Sequence, residues 1–174
     1  MSSYASIRDA GYDVPYRAAL PKEHHATLFE AVAGMWIPIE VAVAHYDACA
    51  TLGLSHEKQL ALGRVAGEKI QGTILGTAVR MAKEAGVTPW TVIPHFQRFW
   101  NRAFDGGGLY VAKRGPKEAH FEVHRSAQAD CVYWRAALSG LGIGVLELFC
   151  HKAYMHETTR KRVPGFASFR IQWA

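Results

Sequence analysis

No stretch of this 174-residue chain approaches the roughly 20 uninterrupted apolar residues of a membrane span. Its opening, "MSSYASIRDAGYDVPYRAALPKEHH", lacks the basic segment and apolar core of a secretion signal. The expectation is a soluble, cytoplasmic protein without a membrane span. Cysteine is scarce: Cys49, Cys131 and Cys150 show no CxxC or zinc-finger spacing, which excludes a disulfide framework and a structural zinc and predicts reduced, partly buried thiols. Catalytic signatures are missing as well. There is no GxSxG elbow, no GxxxxGK[ST] loop, no GxGxxG after a strand and no HExxH. The "GGG" at 106–108 lies between a helix and a strand, without the helix N-terminus that makes a phosphate cradle, so it reads as a turn. Among fifteen carboxylates no pair stands out as an acid and a base. No catalytic residue and no metal ligand set is therefore assigned, and the cofactor is left unspecified.

What is present describes an ordinary globular chain. With 49% hydrophobic and 20% charged residues, a chain of this size buries about 70% of its unfolded surface. The net charge of +5 is gathered toward the C-terminal half, in "KRGPK" at 113–117, at Arg125 and in "RKR" at 160–162. Such clusters attract phosphates or acidic partners. No helix-turn-helix, zinc finger or aromatic RNA-binding signature accompanies them, so nucleic acid is not an expected partner.

The chain divides near "DGGG", 105–108. The reading is an N-terminal extension over 1–20 and one α+β domain over 21–174. That domain is helical to about 105, with a strand-helix-strand part over 106–174. "PIEVAVAHYDACATLG" opens on a proline suited to a first helical turn and closes at Gly53. Ser55 caps the next helix, in which Gly63 and Gly67, then Gly72 and Gly76, are spaced by four so that another backbone can approach. In "VTPWTVIPHFQRFWNRAFD", Thr88 is a cap, Pro89 a first helical residue and Pro94 a break. Trp90, Ile93, Phe96, Phe99, Trp100 and Phe104 share the core face of that segment, with His95 among the polar residues opposite.

"LYVAKRG" and "EAHFEVHRS" read as two strands joined at Gly115 and Pro116. In the second, period-two alternation puts Ala119, Phe121 and Val123 on one face and His120, Glu122 and His124 on the other, a solvated face rather than a metal site. Asp130 is the expected cap of "CVYWRAALSGLGIGVLELFC", a buried helix apolar almost all round. A second strand pair, "KAYMHETTRKR" and "FASFRIQWA", turns around Val163, Pro164 and Gly165. The fold class is α+β: a helical layer on a mainly antiparallel sheet of about four strands, with one buried helix between the strand pairs.

Candidate ligating residues each have an incomplete set. His45 and Cys49 share one helical face and read as buried core. Cys150, His151 and His156 cluster near the end of the apolar helix, but adjacent residues rarely converge on one ion. His45, His95 and His120 are the bases an enzyme with a site invisible in sequence would draw upon.

The segments "WIPIEVAVAHYDACATLGLSHEKQLALGRVAGEKIQGT", "RGPKEAHFEVH", "YWRAALSGLGIGVLELFC" and "FRIQW" resemble a myxobacterial paralogous family of unassigned function over residues 36–174. More distantly, helices followed by two strands, a buried helix and two more strands resemble the fold shared by haem-nitric-oxide sensors, 4-vinyl reductase domains and Golgi-transport particle subunits. The resemblance implies a space between helices and sheet for haem, a tetrapyrrole or an acyl chain. The haem sensors carry a Tyr-x-Ser-x-Arg motif that grips the propionates, and "YWRAALS" lacks that spacing, so haem binding is not carried over.

The expected function is a non-enzymatic sensory or regulatory module that binds a small hydrophobic ligand or a protein partner. The alternatives are a structural homo-oligomeric interaction protein and an enzyme. A ligand pocket is expected among Trp36, Trp90, Phe96, Trp100, Tyr133, Trp134 and Leu141. The stripe of Ala137, Gly140 and Gly144 either leaves room for an apolar ligand or lets its helix sit down on its sheet. A homo-oligomer is the expected assembly.

Overall fold

The computed structural model describes residues 2–31, 35–71, 86–158 and 163–174. Helices α1 (Ser2–Asp9), α2 (Asp13–Ala19), α3 (His25–Phe29), α4 (Ile39–Ala50) and α5 (His56–Gln71) come first. Then follow the short α6 (Pro89–Val92), α7 (Phe96–Ala103), β1 (Gly108–Gly115), β2 (Glu118–His124), α8 (Val132–Leu146), β3 (Ala153–Glu157) and β4 (Ala167–Trp173). The strands form one sheet in the order β1-β2-β4-β3, every neighbouring pair antiparallel. This is the α+β arrangement expected from the sequence. Among the described residues no helix is long and apolar enough to cross a membrane.

Punctuation residues act where expected. Pro38 precedes α4, and Gly53 follows it at φ +63°, a conformation that disfavours a side chain. The Lys58 amide donates to Ser55 Oγ at the start of α5. Thr88 and Thr91 form a capping box around Pro89, and Pro94 lies in the 3₁₀ turn Ile93–His95 that separates α6 from α7. Gly72 and Gly76 lie outside the described residues.

The sheet buries the alternation seen in β2: Ala119, Phe121 and Val123 lie in the core, while His120, Glu122 and His124 face outward. Register continues the inner face across β4, with Phe121 opposite Phe169, Ala119 opposite Ile171 and Val123 opposite Ala167. On the outer face Glu122 lies between two imidazoles, 3.5 Å from His120 Nδ1 and 2.9 Å from His124 Nε2. Among the described residues no three His, Cys, Asp or Glu side chains converge to hold a metal.

Helix α8 is buried along most of its length, and α5 crosses it at glycine. A Cβ on Gly63 would overlap the Ala137 carbonyl, and one on Gly140 would overlap the Leu60 carbonyl. The stripe on α8 therefore seats against the backbone of α5 at Ala137 and Gly140, not against the sheet as the sequence reading offers, and Gly144 is buried on the same helix. The first twenty residues contribute to the core: Ile7 and Tyr16 are fully buried and Leu20 nearly so.

Three local expectations are corrected. Cys131, not Asp130, occupies the cap position of α8. The Asp130 carboxylate instead accepts a 2.9 Å bond from the Gly165 amide, tying the β2–α8 connection to the β3–β4 loop. Asp130→Ala is expected to lower stability by about 1 kcal/mol, read by urea denaturation, because the bond is solvent-exposed. Helix α8 ends at Leu146, short of Cys150. Phe99, placed on the core face, is 49% exposed because the 3₁₀ break at Pro94 rotates α7 relative to α6.

Candidate functional site

A cleft of about 760 Å³ opens where the helical half meets the strand half. One wall is the segment Met35, Trp36, Ile37 and Pro38 leading into Ile39, Ala42 and Tyr46 of α4. The other is Asn101 at the end of α7 with Phe104 and Asp105 just beyond it. Gln128, from the 3₁₀ turn Ala127–Asp130, completes the lining. Trp36 stands at the mouth, 59% exposed, whereas Gln128 is only 1% exposed and belongs to the inner wall.

Local chain geometry sets Gln128 in place. Strand β2 ends at His124, Arg125 takes φ +53°, and the chain turns into the single 3₁₀ turn before α8. The buried Ser126 hydroxyl donates to Gln128 Oε1 at 2.6 Å, which orients the carboxamide. Gln128 Nε2 is then left without a hydrogen-bond partner among the described residues. A buried amide that has lost water and gained nothing costs about 1–3 kcal/mol, and such groups are rare unless something else satisfies them.

Beside the cleft lies a second polar group built from the N-terminal helices and α4. The Tyr16 hydroxyl meets His45 Nδ1 at 2.6 Å, and His45 Nε2 meets Ser3 Oγ at 2.9 Å, so both ring nitrogens have a hydroxyl partner. Burial pushes the His45 imidazole down to about 4 and the Cys49 thiol up to about 12. Burial also raises the Tyr16 and Tyr133 phenols. Tyr46 leaves part of its ring exposed, but its hydroxyl is desolvated and pushed up to about 12. These groups are all held in their neutral forms at neutral pH, so the cluster offers hydrogen bonds and packing rather than a thiolate or phenolate nucleophile.

The expected pocket residues separate. Trp36 lines the cleft. Trp100, Tyr133 and Trp134 are core residues, with the Trp100 and Trp134 rings edge to face at 6.2 Å. Trp90 packs on Trp173 and Phe96 on Phe121, and Leu141 is half-buried on α8. His95 is exposed on its 3₁₀ turn and His120 is half-buried on the outer sheet face. The residues that sequence reasoning missed are Gln128, Tyr46, Asn101, Phe104 and Asp105. A glutamine in "RSAQAD" reads as a solvated turn residue, because nothing in its neighbours signals that two distant elements close over it.

No protein-family model matches the chain, and no curated protein matches it in sequence. Solved structures do share its fold. The chain is similar to the Fe(II) unliganded H-NOX protein from K. algicida, with a TM-score of 0.71 at 10% identity over 99% of this chain and 93% of that one. A mutant of the T. Tengcongensis H-NOX superposes with a TM-score of 0.60 at 12% identity over 99% and 93% of the two chains. An oxygen-binding H-NOX domain related to soluble guanylate cyclases, in its oxygen complex, gives a TM-score of 0.61 at 14% identity over 99% and 91%. At these identities the likeness establishes the fold, the one the element order resembles, and nothing finer.

Haem is the group this fold suggests, and the cleft does not fit it. Haem iron is held by His, Cys, Met or Tyr. No His or Cys is among the described lining residues, the Tyr46 phenol is raised rather than lowered toward a phenolate, and the thioether of Met35 stands 46% exposed on the segment leading into α4. Among the described lining residues no Lys or Arg is there to pair with a propionate, and Asp105 carries the same sign as one.

Proposed function

We propose that this chain is a non-enzymatic sensory or regulatory module that takes a small hydrophobic ligand in the cleft between α4 and the end of α7, and passes the bound state to a protein partner or to its own assembly. The observation that carries the reading is the cleft itself, with Trp36 at its mouth and Ile37, Ile39, Tyr46 and Phe104 along its walls. Its volume of 760 Å³ lies within the roughly 300–1,000 Å³ usual for small-molecule sites, where a few polar groups orient an apolar body. The shared fold with the H-NOX structures supports a module of this kind. The neutral state of the buried His45 and Cys49 supports a role without acid-base or nucleophilic chemistry.

Native mass spectrometry of the freshly purified protein tests it. A small-molecule mass above a multiple of 19.3 kDa, released on denaturation and lost in Ala42→Trp, which fills the cleft, is expected. A clean apo mass, together with no tryptophan fluorescence response to any apolar probe, overturns the reading. The same spectrum counts subunits and so tests the expected homo-oligomer.

A further inference from the structure

We propose that a second pocket, between β3 and the helices α5 and α8, binds a free α-amino acid with an apolar side chain. It shares no lining residue with the cleft, and the inference holds or fails without the reading given there. The pocket encloses about 290 Å³. Strand β3 borders it from Tyr154 to Glu157, α8 contributes Arg135 and Ser139, and the first turn of α5 contributes His56 and Leu60.

The Arg135 side chain is only 11% exposed, yet its guanidinium is incompletely used. Nη1 donates to the carbonyls of Ala129 and Asp130 at 2.8 and 3.1 Å. Nε lies 2.9 Å from Glu157 Oε1, but its N–H is aimed away from that oxygen and makes no hydrogen bond. Nη2 donates to nothing among the described residues and, unlike Nε, keeps accessible surface through which a ligand can reach it. Buried donors stripped of water ordinarily find an acceptor, so this nitrogen lacks one. Glu157, 34% exposed, accepts no hydrogen bond from the described residues either. Next to them the strand leaves backbone unpaired. The bonds of Lys152 with Ala174 and of the Thr158 amide with the Ser168 carbonyl set the ladder, so Tyr154 and His156 bond β4 while the N–H and C=O of Met155 turn to the free edge.

Charge then selects the ligand. An anion alone would gain Nη2 but meet the Glu157 carboxylate, and a cation alone would gain Glu157 but meet the guanidinium. A zwitterion answers both. Its carboxylate accepts from Arg135 Nη2, and its ammonium donates to Glu157 and to the Met155 carbonyl. Leu60, Ala136 and Ile143 form the apolar part of the lining, and the Ser139 hydroxyl is already spent on the Arg135 carbonyl, so the side chain received there is apolar. The 290 Å³ lie just under the roughly 300–1,000 Å³ of sites for larger ligands, which suits a molecule the size of one amino acid.

The test titrates L-leucine into the full chain, followed by calorimetry and by backbone amide chemical shifts. Leucine methyl ester, without the carboxylate, and 4-methylpentanoate, without the ammonium, are titrated beside it. Leucine is expected to bind about tenfold tighter than either, the difference one charge-assisted hydrogen bond makes. It should shift the amides of Leu60, Ser139 and Met155. Glu157→Gln, close in shape and at a partly exposed position, should reverse the order of leucine and 4-methylpentanoate, because Arg135 then stands without its counter-charge. Should that variant fail to fold, the three compounds on the unmodified protein decide.

No binding at millimolar leucine, equal affinity for the three compounds, or shifts confined to cleft residues such as Ile37 and Ala42 overturns the proposal. An unchanged order in a folded Glu157→Gln overturns it as well. None of these results touches the cleft, whose ligand is decided by the mass measurement and the apolar probes.

Discussion

Gly140→Ala is expected to destabilise the protein by about 3 kcal/mol, although alanine in an ordinary helix interior stabilises by about 1 kcal/mol relative to glycine. The sign is decided by what lies opposite. A Cβ at Gly140 overlaps the Leu60 carbonyl and comes within 2.8 Å of the Arg64 amide nitrogen, and both are backbone atoms of α5 that no rotamer change can remove. The two helices must part, and the contact between Gly63 and the Ala137 carbonyl one turn away parts with them. Gly142→Ala on the same helix is the control. Its Cβ meets the Met155 Sδ, the far portion of a flexible side chain that swings aside, so a change within about 0.5 kcal/mol is expected. Urea denaturation of both variants gives the comparison, and equal stabilities would show that α5 and α8 do not cross at glycine.

Acid should weaken the fold through His45, in a window that its burial defines. The imidazole titrates near 6.5 when unfolded and is pushed down to about 4 in the fold by desolvation. The unfolded chain therefore binds the extra proton between those values, and stability rises with pH across the window. The contribution is complete above about pH 6.5 and is lost as pH falls toward 4, a drop of about 3 kcal/mol. The exposed carboxylates Asp13 and Glu118, held below their ordinary range chiefly by hydrogen bonds from Tyr4 and Arg170 respectively, contribute only at the acid edge of this window or below it. Denaturation midpoints between pH 7 and pH 4.5 should fall for the unmodified protein and stay nearly level for His45→Gln. A flat profile for the unmodified protein would mean that the imidazole keeps access to water.

The bond from Tyr16 to His45 also joins α2 to α4, the helix that supplies Ile39, Ala42 and Tyr46 to the cleft. Loosening at low pH is thus expected to reach the ligand wall, and a ligand bound there should in turn raise the acid stability of the protein by mass action.

How far the sequence reaches depends on the range of the interaction. The two-residue alternation of β2, the proline at 94, the capping threonine at 88 and the glycine at 53 determined their own local structure, because strand burial, helix interruption and positive φ are settled within a few residues. The order of helices and strands was enough to indicate the sensor-like α+β fold. Aromatic content marked the core but did not distinguish core from cleft: Trp100 and Trp134 face each other inside, while Trp36 stands at the mouth. Only the tertiary structure decided which small residues touch, since Gly63 and Gly140 gain meaning from the carbonyl on the opposing helix. It alone placed Gln128 on the wall of the candidate cleft. A carboxamide in a turn is solvated by default, and it becomes an unpaired buried donor only when α4 and the end of α7, about fifty residues apart in the chain, close over it.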